Sequence, residues 1–201
     1  MFVPYSFELS MDVINILDEL TRVLVDAADV HQAAAYTTGS GVAQPTGFVT
    51  ALAGGSSVVA SGTADTLAAG DVFNVQNALP ARFQARAQWT ANLSTINALR
   101  QLETTNGALK FPELANGQLL GRPMNECSDM DGVINASQTN HILAYGDFNN
   151  FVIVDRIGST LEVIPNLLGA NGRPTGQRGA FLWYRTGSDV LVDNAFRILN
   201  A

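Results

Sequence analysis

The chain has 201 residues, 47% of them apolar and only 14% charged, with a formal net charge of −7. That length holds one ordinary domain or two small interwoven ones, and the charged fraction falls well short of the usual quarter or so. The only lysine is Lys110, and the ten arginines are scattered, with Arg82 and Arg86 the nearest pair, so no basic stripe exists for gripping nucleic-acid phosphates tightly.

In chain order, the clearest periodicity comes first. Val13, Ile16, Leu17, Leu20, Val23, Leu24, Ala27, Val30 and Ala34 fall at the spacing of one helical face. The pattern predicts a helix from about residue 11 to residue 36, roughly 39 Å long at 1.5 Å per residue. Ser10 is the expected N-cap, with Asp12 in the first turn, and Gly39 the expected left-handed stop. A helix of that length reads as a spine against which sheets pack. "GSGVAQPTG" follows as loop. It is not a dinucleotide loop, because Gln44 stands where the third glycine would be and a helix, not a strand, precedes it. Residues 64–79 read as helix ended by Pro80, "ARAQWTA" as a short strand, and residues 92–106 as a second helix capped by Asn92 or Ser94. Strands dominate from there: "GQLLGRPMNE", "HILAYGDF", "FVIVDRIG", a turn at Ile157-Gly158, "STLEVI", "GAFLWYRTG" and "DVLVDNAFRIL". Helices early, strands late and no βαβ alternation indicate an α+β fold.

Chemistry is hard to find. His31 and His141 are the two histidines, and neither has a companion at metal-ligand spacing. Asp129-Met130-Asp131-Gly132 lacks the third acidic ligand and the distal glutamate of a calcium loop and reads as a turn. Asp147 and Asp155 stand at expected strand ends, where a carboxylate commonly caps a turn. Cys127, the lone cysteine, excludes an intrachain disulfide and reads as a small inert hydrophobe. No catalytic, cofactor-binding or metal-binding residue is therefore expected, and no cofactor. No signal segment opens the chain and no apolar run approaches the ~20 residues of a membrane span. The expectation is a soluble intracellular chain without a membrane partner.

The order of motifs, however, is familiar. "VPYSFELSMDVINILDEL", "TTGSGVAQPTGFVTAL", "ARAQWTANLSTINALRQLETTNGALKF", "LLGRPMNECSDM", "GDFNNFVIVDRIG" and "FLWYRTGSDVLVDNAFRIL" resemble, in register and across nearly the whole chain, the major capsid proteins of tailed double-stranded DNA bacteriophages, which share the Hong Kong 97 fold. The resemblance implies a structural protein and no enzyme, assembling with its own copies into pentamers and hexamers of an icosahedral shell around DNA. It implies a virion location, assembly in the bacterial cytoplasm, and scaffold, protease and portal proteins as possible partners. It implies a peripheral domain over residues 1–60 with the spine helix, an axial domain over 61–184, and a strand over 185–201 returning to the peripheral domain. Gly146-Asp147-Phe148 and Asp155-Arg156-Ile157-Gly158 would be corners of the axial sheet, with Asp155 and Arg156 available for ion pairs at a subunit boundary. The family's N-terminal arm and extended loop precede the V-P-x-S motif, so the chain reads as a shortened piece of such a protein. A bacterial nanocompartment shell of the same fold is the second reading, disfavoured by the phage-type G-x-G-x-x-Q-P-x-G and L-L-G-x-P motifs.

Overall fold

The computed structural model describes residues 1–136 and 138–201. Its elements are β1 (Phe2–Ser6), α1 (Phe7–Asp12), α2 (Ile16–Thr38), α3 (Phe48–Leu52), β2 (Val58–Ala60), α4 (Ala69–Ala78), α5 (Ala81–Gln84), β3 (Gln88–Ala91), α6 (Leu93–Arg100), β4 (Gln118–Leu119), β5 (Arg122–Glu126), β6 (His141–Gly146), β7 (Phe151–Ile164), β8 (Gln177–Val190) and β9 (Phe196–Asn200). The fold is α+β, as expected. Two units divide it: unit 1 is Met1–Ala33 with Ile153–Gly187, and unit 2 is Ala34–Val152 with Ser188–Ala201. The chain passes from one to the other inside α2, β7 and β8.

These bounds differ from the expected ones. Residues 34–60 group with the middle of the chain, and residues 153–184 group with the opening segment. The last strand does not return to the spine-helix unit either. Phe196, Ile198 and Leu199 have no exposure and Arg197 only 8%, so β9 is covered on both faces and needs the interior of a sheet. It finds one between β2 and β6.

In unit 1, β1 pairs antiparallel with β8, and β7 completes the sheet in the order β1-β8-β7. Leu24 and Ala28 of α2, with Leu20 beside them, pack on Tyr5, Ala180 and Leu182. The helical entry is not one rod. Ser6, not Ser10, accepts the Leu9 N–H and caps α1. Ser10 instead donates to the Phe7 carbonyl within that helix. Val13 is extended, and the Asn15 carbonyl accepts Glu19 N–H to start α2. The β-branched pair Val13-Ile14 followed by Asn15 favours such an interruption. Strand β7 runs unbroken through Ile157-Gly158, so the expected turn there is absent. Asp155 and Arg156 lie in mid-strand, exposed, rather than at a sheet corner.

Unit 2 is built on a six-stranded mixed sheet in the order β2-β9-β6-β3-β5-β4. β6 is buried along its whole length. Trp89 and Tyr145, directly opposite on β3 and β6, stack with ring centroids 4.1 Å apart, and neither side chain reaches solvent. Phe48, Phe148 and Phe196 meet edge to face at 5.7 and 5.3 Å. Such aromatic pairs add about 0.5–1.5 kcal/mol each beyond area burial.

Candidate functional site

The segment after α2 folds on itself within unit 2. Ser40 and Thr46 form an isolated bridge, Gly41 N–H donates to the Pro45 carbonyl, and the Gln44 side chain donates to Ser40 Oγ at 2.9 Å. Gly39 does not take the expected left-handed conformation; its requirement is space. A Cβ there would stand 2.3 Å from the carbonyl oxygens of both Ala35 and Pro45, and one on Gly47 would stand 2.5 Å from the Thr37 carbonyl. Both helix exit and loop return therefore demand glycine. The product is a tight loop that holds Val42 79% exposed, beside Ala43 at φ +58°.

The Gly146-Asp147-Phe148 corner joins β6 to β7. The Asp147 carboxylate is fully buried and caps a single 3₁₀ turn, its Oδ1 accepting from Asn149 N–H at 3.2 Å and Asn149 Nδ2 at 3.0 Å. Its Oδ2 lies 3.0 Å from Arg86 Nη2, an ion-pair contact rather than an aligned hydrogen bond, and Arg86 is 68% exposed. A Cβ on Gly146 would come within 2.5 Å of the Phe196 ring and 2.6 Å of the Ala195 carbonyl, which explains the glycine. A second buried carboxylate, Asp71, accepts from Gly62 and Ala68 N–H, both at 2.8 Å, and anchors the start of α4. At the other end of α4, Arg197 Nε donates to the Ala78 carbonyl at 3.0 Å, and burial lowers the pKa of its guanidinium. That places a cation on the negative end of the helix dipole.

Charge on the unit 2 sheet is separated by strand polarity. β3 and β5 are parallel, with Trp89 opposite Met124 and Ala91 opposite Glu126. Arg86 and Arg122 flank their N-terminal end, Arg122 Nη1 donating to the Ala85 carbonyl at 2.8 Å, and Arg82 lies on α5 four residues before Arg86. At and just beyond their C-terminal end stand Glu126, Asp129 and Asp131, all exposed. Asp131 Oδ2 accepts the His141 N–H at 2.7 Å. The His141 ring is 7% exposed, with Nδ1 lacking a hydrogen bond among the described residues. Desolvation lowers its pKa below the ordinary histidine value, opposed by the Asp131 charge.

Unit 1 holds the other histidine. His31 Nδ1 lies 3.3 Å from Tyr184 Oη, beside a shallow cleft of about 320 Å³ lined also by Met1, Phe181 and Trp183. Arg178 stacks over Phe7 at 4.8 Å and donates to Ser10. On α2 the apolar stripe is wider than its partner: Val23 and Val30 remain 62% and 65% exposed.

The structure thus brings Asp147 to Arg86 and Asp131 to His141, and Asp155 to neither. His31 and His141 lie in different units, and Cys127 Sγ contacts only the Thr37 hydroxyl, at 3.4 Å, among its described hydrogen-bond partners. Among the described residues no three His, Cys, Asp or Glu side chains converge to hold a metal ion, and no helix is long and apolar enough to cross a membrane. What the geometry presents is a set of closely packed, hydrogen-bonded loops and charged or apolar outer faces. The charge separation was missed in the sequence because Arg122 and Glu126 sit only four residues apart; it becomes visible once the parallel register of β3 and β5 is known.

Comparison with known proteins fits such surfaces. The family described as "Phage capsid family" matches residues 2–201. The capsid of the empty GTA particle, computed with C5 symmetry, superposes with a TM-score of 0.86 at 27% identity, covering 100% of this chain and 71% of that one. The capsid of the native GTA particle gives 0.83 at 27% identity, covering 100% and 70%. A structure from Gordonia phage Cozz shares the fold, with a TM-score of 0.70 at 17% identity, over 100% of this chain and 68% of that one. No curated protein matches the chain in sequence.

Proposed function

The chain belongs to the phage capsid family, and as a structural capsid protein of a tailed phage, we propose, it forms pentamers and hexamers of an icosahedral shell that encloses double-stranded DNA. The observation that carries this is the family match over residues 2–201 together with full-chain superposition on a GTA capsid. Unit 2, with its buried sheet and its close-packed loops, takes the axial position, and unit 1, with the spine helix α2, the peripheral one. Contacts between copies in capsomers are head-to-tail, the class that closes into rings. A net charge of −7 suits a wall that does not trap the DNA it encloses. The role is mechanical and involves no catalysis. Assembly takes place in the bacterial cytoplasm, in company with scaffold, protease and portal proteins, and the product is the virion head.

Electron microscopy of the expressed protein, concentrated over a range of salt, tests this. Five- or six-membered rings, or closed shells, are the expected particles. A protein that stays monomeric under every condition overturns the assignment.

A further inference from the structure

We propose that unit 2 docks a second copy of this chain head to tail, Glu126, Asp129 and Asp131 of one copy facing Arg82, Arg86 and Arg122 of the next. The inference rests on the shell assignment and names the surface that would join neighbours in a ring.

Three observations support it. First, the two charged groups occupy opposite ends of the same strand pair, fixed by the register of Trp89 with Met124 and Ala91 with Glu126. From Arg122 to Glu126 the backbone advances about 13 Å at ~3.3 Å per residue. That exceeds the ~8 Å screening length of physiological salt, so the two groups do not neutralise each other within one copy. Second, the charges are available. Arg82, Glu126 and Asp129 are exposed and enter no ion pair among the described residues, while Arg82 is braced over the Phe83 ring at 4.2 Å. The acids near the arginine end are already engaged: Asp147 is buried against Arg86, and half-buried Glu113 accepts the Leu120 N–H. Third, the flank between the two ends is open. β4 covers β5 only at Arg122 and Pro123, and beyond the Met124 amide no strand pairs with the outer edge of β5 among the described residues. Val133, 67% exposed, supplies apolar surface close to the acids in sequence.

A second copy is the occupant that satisfies both ends at once, because each end is the electrostatic complement of the other. A two-fold pair would also set acids against arginines and would stop at a dimer; the shell assignment selects the heterologous arrangement, in which each end meets a different neighbour and the contacts close into a ring. Nucleic acid would engage only the arginine end and leave Glu126, Asp129 and Asp131 without a partner.

The test uses sedimentation velocity on the whole chain with Arg82→Glu, Asp129→Arg and the double reversal. Wild type is expected to associate, less so as salt rises. Each single reversal should weaken association about tenfold or more, while the double reversal restores it and an equimolar mixture of the two singles associates in even-numbered assemblies. Arg82→Gln and Asp129→Asn, milder at the surface, should each give a smaller loss, and unchanged fluorescence of Trp89 in a Trp183→Phe background reports that unit 2 is folded. Single reversals that associate like wild type, or a double reversal no better than the singles, overturn this interface while leaving the shell assignment standing. A wild type that is monomeric throughout overturns both. Wild-type association that appears only on adding DNA also overturns the interface.

Discussion

Replacing Asp147 with alanine removes a fully buried carboxylate, and its cost can be worked from its three contacts. The Arg86 contact is shared with water, since that guanidinium is 68% exposed, so it contributes at most about 1 kcal/mol. The two hydrogen bonds from Asn149 cap the 3₁₀ turn that leads into β7, and losing such a cap costs about 1–2 kcal/mol. Alanine leaves no stranded buried charge, because Arg86 remains solvated, so the total is about 1–3 kcal/mol. Asp147→Asn keeps an acceptor for Asn149 and forfeits only the ion pair, so it should cost about 1 kcal/mol or less. The two tryptophans make the assay specific: Trp89 is buried in unit 2 and Trp183, 37% exposed, lies in unit 1. In a Trp183→Phe background, urea titration followed by fluorescence reports unit 2 alone. An Asp147→Asn variant as unstable as Asp147→Ala would show that charge, not capping, dominates, and would refute the reasoning.

Other outcomes follow from the same contacts. Asp71→Ala orphans two N–H groups that now donate at 2.8 Å and should destabilise unit 2 by about 2–4 kcal/mol in the same titration. Gly146→Ala meets the Ala195 carbonyl and the Phe196 backbone, which cannot swing aside, and should cost about 3 kcal/mol or abolish soluble expression. Burial lowers the folded-state pKa of His141, so the unfolded chain takes up a proton first, from about pH 6.5 downward. Stability is complete above that pH and falls below it, by less than about 1.4 kcal/mol per pH unit, until the folded imidazole also titrates. Urea midpoints at a series of pH values should show this acid limb shrinking in His141→Gln.

Much of the fold was legible because local patterns agreed with it. The spine helix, the strand through Trp89 and the helix capped by Asn92 stand close to where periodicity and capping put them. The errors have separate causes. Val23 and Val30 belong to the apolar stripe of α2 yet stay exposed, since a stripe marks one helical face and not how much of that face the chain itself covers. Strand β7 runs through Gly158 without a turn, because an isolated glycine weakens a strand without having to end it. The cap lies at Ser6 rather than Ser10 because a short separate helix, Phe7–Asp12, precedes α2, and the sequence pattern of one continuous rod hides it. The destination of the last strand depended on partners far away in sequence, which no local pattern encodes. For the outer faces, residue types were readable one by one, but their grouping required the register.

Because unit 1's second segment leaves unit 2 at Val152 and rejoins it at Ser188, the whole hairpin is an excursion from an otherwise closed path. The two stubs stay together: Leu191 N–H donates to the Asn150 carbonyl at 2.8 Å. Evolution could therefore lengthen, shorten or exchange that excursion without rewriting the sheet it departs from, and a laboratory splice of residues 152 to 188 through a short glycine turn would do the same in one step.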